Sequence, residues 1–93
     1  MVIEWILWLP EYEEKIAVKH GVDKEEVEEA LYGETVIRRI GRGRQAGEDL
    51  YLTLAQTFEG RYLSIFFLLK KGNVAMPISA RDMDRRERRY YGN

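Results

Sequence analysis

Cysteine is absent from this sequence, histidine occurs once, and no long apolar run is present. Without cysteine the chain cannot form a disulfide, use a thiol nucleophile or bind a metal through thiolates. One histidine, with no cluster of metal-binding side chains, predicts that the protein uses no metal, and no motif indicates another cofactor. No stretch approaches the ~18 apolar residues of a membrane-spanning helix, and the opening MVIEWILWLP lacks the basic start of a signal peptide. We therefore expect a cytoplasmic protein with no membrane partner.

The hydrophobic content is sufficient for one folded unit. Of the 93 residues, 45% are hydrophobic and 12% are aromatic. A chain of this length and composition can build one core and is too short for two. We expect residues 1–93 to form a single domain.

Two short helices are predicted in the acidic first third of the chain. The segment PEYEEKIAVKH begins with Pro10, a favoured first helical residue, and is followed by Gly21, a typical C-terminal cap. The next segment, VDKEEVEEALYG, carries Asp23 and Glu26 at the spacing of a capping box. The sequence therefore predicts one helix on each side of Gly21.

From residue 34 onwards the pattern changes to that of strands. ETVIRRI is rich in β-branched residues, DLYLTLAQTF alternates, and RYLSIFFLLK has the continuous apolar run of a central strand. VAMPIS contains Pro77, which lacks an amide donor and predicts a sheet edge or a bulge. These segments predict an antiparallel meander of about four strands.

The closing segment is predicted to be a helix that begins near Ser79. Ser79 and Asp82 fit the capping pattern S-x-x-D. This start places Arg81 in the first turn, with its side chain free to reach a phosphate beside the exposed amides. The predicted fold class is α+β, with two N-terminal helices, an antiparallel sheet and a C-terminal helix.

Charge is divided unevenly along the chain, although the net charge is only −1. Residues 1–33 contain nine acidic and three basic side chains, whereas residues 34–93 contain seven acidic and twelve basic ones. In a helix, Arg81, Arg85, Arg88 and Arg89 would lie on one side. A cationic ridge of this kind fits an anionic partner such as RNA, or it is a solvated surface.

Phosphodiester cleavage in RNA is the chemistry that these side chains suit best. RNA supplies its own nucleophile, the 2′-hydroxyl, so an enzyme has to align it, move protons and stabilise charge on the phosphoryl oxygens. Arginine and lysine suit the charge, and histidine, tyrosine or glutamate suits the protons. The candidates for catalysis are Lys19, His20, Arg81, Glu87, Arg88 and Tyr91. The candidates for holding the RNA backbone are Arg38, Arg42, Arg44 and Arg85.

Several of these residues also have a structural interpretation. His20 precedes a helix-ending glycine, where a cation suits the helix dipole. Glu87 falls on the packing side of the predicted helix, where an ion pair with a basic side chain is the alternative to general-base work. Arg42 and Arg44 are either phosphate contacts or exposed loop cations.

Three segments together resemble a known family. KHGV near the start, RRIGRG in the middle, and ISARDM followed by RRERRYY at the end are similar to the BrnT-like toxins. These are small ribonucleases of type II toxin–antitoxin systems, with a fold akin to that of the RelE toxins. The resemblance runs from about residue 4 to residue 91. The matching positions are Trp5, Lys19, His20, Gly21, Ser79, Ala80, Arg81, Glu87, Arg88 and Tyr91.

The resemblance implies an endoribonuclease that cleaves mRNA without a metal, by attack of the 2′-hydroxyl, and so inhibits translation. It also implies an antitoxin partner with a ribbon-helix-helix DNA-binding part. A dimer and a toxin–antitoxin hetero-oligomer both remain open. The alternative function is a non-enzymatic module with a toxin-like fold that binds nucleic acid or a protein.

Overall fold

The computed structural model describes residues 1–43 and 47–92. Arg44, one of the candidates for holding RNA, lies outside these residues. The helices are α1 (Pro10–His20), α2 (Lys24–Tyr32) and α3 (Arg85–Tyr91). The strands are β1 (Trp5–Ile6), β2 (Thr35–Arg42), β3 (Asp49–Gln56), β4 (Tyr62–Lys70) and β5 (Val74–Asp82).

The two predicted N-terminal helices are confirmed, and local sequence signals set their ends. Pro10 is the first residue of α1, and Gly21 ends it in the left-handed conformation with φ 64°. Asp23 caps α2 by accepting a hydrogen bond from the amide of Glu26, and Glu26 accepts one from the amide of Asp23 in return. This reciprocal capping box satisfies two amides that a helix start leaves unpaired.

Within the described residues the sheet has five strands in the order β1-β5-β4-β3-β2, so the expected antiparallel sheet of about four strands lacks one strand that the structure shows. Strands β2 to β5 form the expected antiparallel meander, and β4 is central. The additional strand is β1, which pairs parallel to β5 through Trp5 with Val74 and Ile6 with Ala75. The sheet is therefore mixed. Two residues are too few to show a strand periodicity in the sequence.

The predicted start of the closing helix at Ser79 is wrong. Ser79 pairs with Phe66 and Arg81 pairs with Ser64, so both belong to β5, and the helix begins only at Arg85. Its N-cap is Asp84, whose carboxylate accepts from the amide of Glu87 in a second capping box. Residues 79 to 82 carry a helix-cap pattern but belong to β5. Their backbone amides and carbonyls are paired with β4, so they do not need a helix to satisfy them.

Pro77 lies beside an irregularity in β5, as its missing amide donor predicts. Phe66 pairs with Ser79 and Phe67 pairs with Pro77, which leaves Ile78 as an extra residue on β5. This arrangement is a β-bulge. The prediction of an edge or a bulge at Pro77 is confirmed.

Helices cover the two faces of the sheet unequally. The core lies between one face and the first two helices, and it includes Ile16, Val22, Val27, Leu31, Ala55, Leu63, Ile65 and Phe67. Side chains alternate along a strand, so Ser64, which lies between Leu63 and Ile65, points to the opposite face. Helix α3 contacts that opposite face, because Glu87 accepts a hydrogen bond from Ser64. The candidate residues of the C-terminal region lie on this second face.

Candidate functional site

Arg81 and Glu87 form a two-point ion pair between β5 and α3. Arg81 Nη1 lies 2.7 Å from Glu87 Oε1, and Nη2 lies 3.1 Å from Oε2. The hydroxyl of Ser64 and the amide of Asp84 also donate to Oε1, at 2.8 and 2.9 Å. Arg81 and Ser64 are cross-strand partners, so their side chains share the face on which α3 packs. The pair fixes the start of α3 against the sheet.

The surroundings of Glu87 hold its carboxylate in the ionised form. Its hydrogen bonds with Arg81, and then those with the Asp84 amide and the Ser64 hydroxyl, lower its pKa to about 2. Burial acts in the opposite direction and is outweighed. A carboxylate with so low a pKa is a weak proton acceptor near neutral pH. Of the two interpretations of Glu87, the ion pair is the one that the structure shows.

We expect Glu87 to make the fold sensitive to acid. Its pKa is about 2 in the folded state and about 4.3 in an unfolded chain. The resulting stability is therefore present above pH ~4.3 and is lost as the pH falls towards 2. Between pH 6 and pH 3 the parent should lose about 1 kcal/mol more free energy of unfolding than Glu87→Gln, after allowance for solvent screening. Urea unfolding at both pH values measures this difference.

Glu59→Gln is the matched control for that measurement, because Glu59 is an exposed residue in the turn between β3 and β4. It should follow the parent at both pH values. Equal losses in the parent and in Glu87→Gln would contradict the expected role of the ion pair.

Arg88 and Tyr91 belong to an aromatic cluster at the end of α3. The guanidinium of Arg88 lies 4.1 Å from the centre of the Tyr62 ring, a cation–π contact. Tyr62 meets Tyr91 edge to face, with ring centres 6.1 Å apart. The Tyr91 hydroxyl donates to the carbonyl of Glu34 at 3.1 Å, and burial raises its pKa. Tyr91 therefore keeps its proton at neutral pH and ties α3 to the start of β2.

A cavity of about 550 Å³ opens beside this cluster. Tyr62 and Met83 form part of its wall, and Arg85 and Arg88 line it from one side of α3. Two arginines that face one cavity create a positive potential suited to a phosphate. We call this space the arginine cavity.

Lys19 and His20 lie at the C-terminal end of α1, and Arg61 links that end to the rest of the fold. Arg61 donates to the carbonyls of Gly21 at 2.8 Å and of His20 at 3.3 Å. Its other donors reach the carboxylates of Glu26 at 3.1 Å and Asp82 at 2.7 Å. The end of α1 is therefore fixed to α2 and to the last residue of β5.

The sequence does not point to Arg61. It follows the turn at Glu59-Gly60 and looks like an ordinary surface cation, because its partners lie between 21 and 41 residues away in the chain. Its hydrogen bonds lower the pKa of Asp82, and the nearby His20 also lowers it. His20 is thus close enough to Asp82 to interact with its carboxylate electrostatically, and Asp82 directly follows Arg81 in the chain.

The candidate residues are only partly brought together. Arg81 and Asp82 are consecutive in β5, so their side chains point to opposite faces, and His20 approaches from the face of Asp82. Lys19 is exposed. Within residues 1–43 and 47–92, the side chains of Lys19 and His20 make no hydrogen bond with another residue. Lys19 and His20 therefore come near the C-terminal candidates only at the end of β5.

The candidates on β2 lie farther along the sheet. Arg38 is paired with Leu52 and lines a groove between the sheet and α3. Arg42 is exposed, and its backbone lies opposite that of Asp49 on β3 at the end of the strand. Arg39, on the same strand, forms a surface ion pair with Asp49, and 3.2 Å separates its Nη2 from the aspartate Oδ1. Arg38 is therefore the candidate on β2 that lies close to α3.

A family model matches residues 8–87, and its description is the ribonuclease toxin BrnT of type II toxin–antitoxin systems. The chain belongs to the BrnT toxin family. The matched segment includes Lys19, His20, Arg81 and Glu87, whereas Arg88 and Tyr91 follow it. A comparison with curated proteins finds no match.

Two features of this BrnT-family chain bear on metal binding and on membranes. In the part of the chain that the structure describes, no three histidine, aspartate or glutamate side chains come close enough to hold a metal ion. No helix in that part is long and apolar enough to span a bilayer.

Proposed function

We propose that this protein is an endoribonuclease toxin that cleaves mRNA by metal-independent attack of the 2′-hydroxyl and so inhibits translation. The observation that carries the proposal is the match of residues 8–87 to a family of ribonuclease toxins. The arginine cavity supports it, because Arg85 and Arg88 face one space beside Tyr62. Such a site offers charge stabilisation to a phosphodiester.

In the proposed reaction the 2′-oxygen attacks the neighbouring phosphorus and the bond to the 5′-oxygen breaks. The products are a 2′,3′-cyclic phosphate and a free 5′-hydroxyl. One proton leaves the 2′-hydroxyl and one is delivered to the departing 5′-oxygen, so the step needs no co-reactant. Positive side chains near the phosphorus stabilise the charge that develops on its oxygens.

The candidate residues take different parts in this step. Arg88 and Arg81 stabilise the phosphoryl oxygens, and Lys19 and His20 serve the proton transfers from the end of α1. Glu87 and Tyr91 position these groups: Glu87 is paired with Arg81, and the Tyr91 hydroxyl is bonded to a carbonyl. The residues that hold the RNA backbone are Arg38, Arg42, Arg44 and Arg85.

The proposed partner is an antitoxin with a ribbon-helix-helix DNA-binding part, in a toxin–antitoxin hetero-oligomer. The place of action is the cytoplasm, where mRNA is translated. The helix-flanked sheet supports the further proposal of a kinship with the RelE toxins. These proposals follow from membership of a type II toxin–antitoxin family.

Incubation of the purified chain with single-stranded RNA in excess EDTA tests the proposed function. We expect cleavage to continue in EDTA and the products to carry 2′,3′-cyclic phosphate ends, detected by mass spectrometry. The same sequence made with a 2′-deoxy sugar at the cleaved position should resist, because it lacks the nucleophile. Cleavage of the deoxy substrate, or loss of cleavage in EDTA, would rule out the proposed mechanism.

The binding module is the second candidate function. It is favoured by two observations that remove candidates for proton transfer. Glu87 has a low pKa, and the hydroxyl of Tyr91 is hydrogen-bonded to a carbonyl. Only His20 and Lys19 then remain as proton-transfer groups among the catalytic candidates. An RNA that binds and stays intact, under conditions where expression of the chain does not slow growth, would support this second function.

A further inference from the structure

A second concave surface, a groove of about 520 Å³, lies between α3 and the strands β2 and β3. Its apolar part includes Val36 on β2 and Leu52 and Leu54 on β3. The volume falls within the range of about 300–1,000 Å³ that is usual for small-ligand sites. We call it the β2–α3 groove.

The charges that line the β2–α3 groove favour an anion. Arg38 contributes a guanidinium from the strand side and Arg86 contributes one from the helix side. The two carboxylates in the lining are engaged: Asp84 caps α3, and Glu87 is paired with Arg81. The lining holds two cations and two anions, and Arg81, which is not part of the lining, neutralises Glu87. A wholly apolar occupant would leave the guanidinium groups of Arg38 and Arg86 partly desolvated without partners, which is costly.

An exposed aromatic ring completes the β2–α3 groove. Tyr90 lines it and is 65% exposed. An exposed ring above an apolar surface is a platform on which a planar base can stack, and cationic side chains beside such a platform hold the phosphates of a single strand. An aromatic ring flanked by two arginines therefore fits a nucleotide better than an apolar peptide.

We propose that the β2–α3 groove is a subsite for one nucleotide of single-stranded RNA. The base stacks on Tyr90 over the apolar surface, and Arg38 and Arg86 bind the flanking phosphates. This inference rests on the proposed function and adds to it the part of the substrate that the chain recognises. Glu87 lines the groove and is bonded to Arg81, so the subsite adjoins the candidate catalytic residues. A base held there contributes to the choice of the cleaved position.

The test measures binding of a fluorescent single-stranded oligonucleotide whose sugars are all 2′-O-methylated, so that it cannot be cleaved. Tyr90→Ala should raise the dissociation constant about fivefold or more, whereas Tyr90→Phe should restore it, because stacking needs the ring and not the hydroxyl. A probe of the same length with abasic sugars should bind the parent and Tyr90→Ala equally. These two probes separate base stacking from phosphate binding.

Arg86→Ala should weaken both probes and lower the salt dependence of binding by about 0.7 in the slope of log K against log salt, the value for one phosphate of a single strand. Arg89→Ala is the matched control, since Arg89 is an exposed arginine of the same helix that does not line the groove. It should leave the dissociation constant within twofold of the parent. Tyr32→Ala, at an exposed tyrosine of α2, controls in the same way for Tyr90→Ala.

Each outcome separates this inference from the proposed function. If the parent cleaves RNA and Tyr90→Ala binds the probe as the parent does, the subsite is wrong and the ribonuclease stands. If the parent binds the probe through Tyr90 but cleaves no RNA, the subsite stands and the ribonuclease fails. No binding of the probe to the parent, or an equal loss for Arg86→Ala and Arg89→Ala, overturns the subsite.

Discussion

Arg61→Ala should lower the free energy of unfolding by about 3 kcal/mol. One guanidinium joins α1, α2 and β5 through the carbonyls of His20 and Gly21 and the carboxylates of Glu26 and Asp82. The side chain is only 28% exposed, so its partners are partly withdrawn from water. Removal of one member of such a network leaves the remaining polar groups unsatisfied. In a domain of this size the midpoint of thermal unfolding should fall by roughly 10–20 °C.

Arg39→Ala is the matched control, because Arg39 forms an ion pair in which both side chains are at least 40% exposed. Exposed pairs are worth less than about 1 kcal/mol, so this variant should unfold close to the parent. Arg61→Lys keeps the charge but loses the planar fork, and it should recover only part of the stability. Calorimetry on the parent and the three variants decides the point. A shift for Arg61→Ala no larger than that for Arg39→Ala would show that the network is not a structural link.

Arg81→Ala should lower the rate of RNA cleavage about 100-fold or more. It should also lower the free energy of unfolding by about 1–2 kcal/mol. The loss of cleavage follows from the proposed role of Arg81 in stabilising the phosphoryl oxygens. The loss of stability follows from Glu87, which is 15% exposed and would keep its charge without its partner. A free arginine at a helix N-terminus, as the sequence suggests, would instead cost little stability.

The two effects can be separated with a second substitution. Arg81→Ala combined with Glu87→Gln removes the unpaired charge and keeps a side chain that can still accept from Ser64. This double variant should be more stable than Arg81→Ala alone and should remain inactive, because the guanidinium is still missing. Cleavage assays and urea unfolding on the two single variants and the double variant complete the cycle. Full activity in the double variant would show that Arg81 serves the fold and not the reaction.

The helices α1 and α2 show how far local signals in the sequence reach. Pro10, Gly21 and the pair Asp23 and Glu26 act within one turn of the chain, and the structure places the helix ends where they predict. The central position of β4 is local in the same sense, because a continuous apolar run has to be covered on both sides. These features need no knowledge of distant residues.

The closing segment shows where local signals are ambiguous. Ser79 with Asp82 and Asp84 with Glu87 are both cap patterns, and only the second begins a helix. The choice depends on whether residues 79 to 82 find strand partners, and those partners lie on β4. The register between β4 and β5 is a tertiary property, so the sequence pattern alone selected the wrong cap.

By itself, the sequence determined the α+β class, the first two helices, the antiparallel meander and the resemblance to the BrnT toxins. Only the tertiary structure decided that β1 joins the sheet, that Arg81 is a strand residue paired with Glu87, and that Arg61 fixes the end of α1. The physical reason is distance along the chain. Caps and periodicity arise between neighbouring residues, whereas Arg61 meets partners up to 41 residues away, through contacts that exist only once the strands have paired.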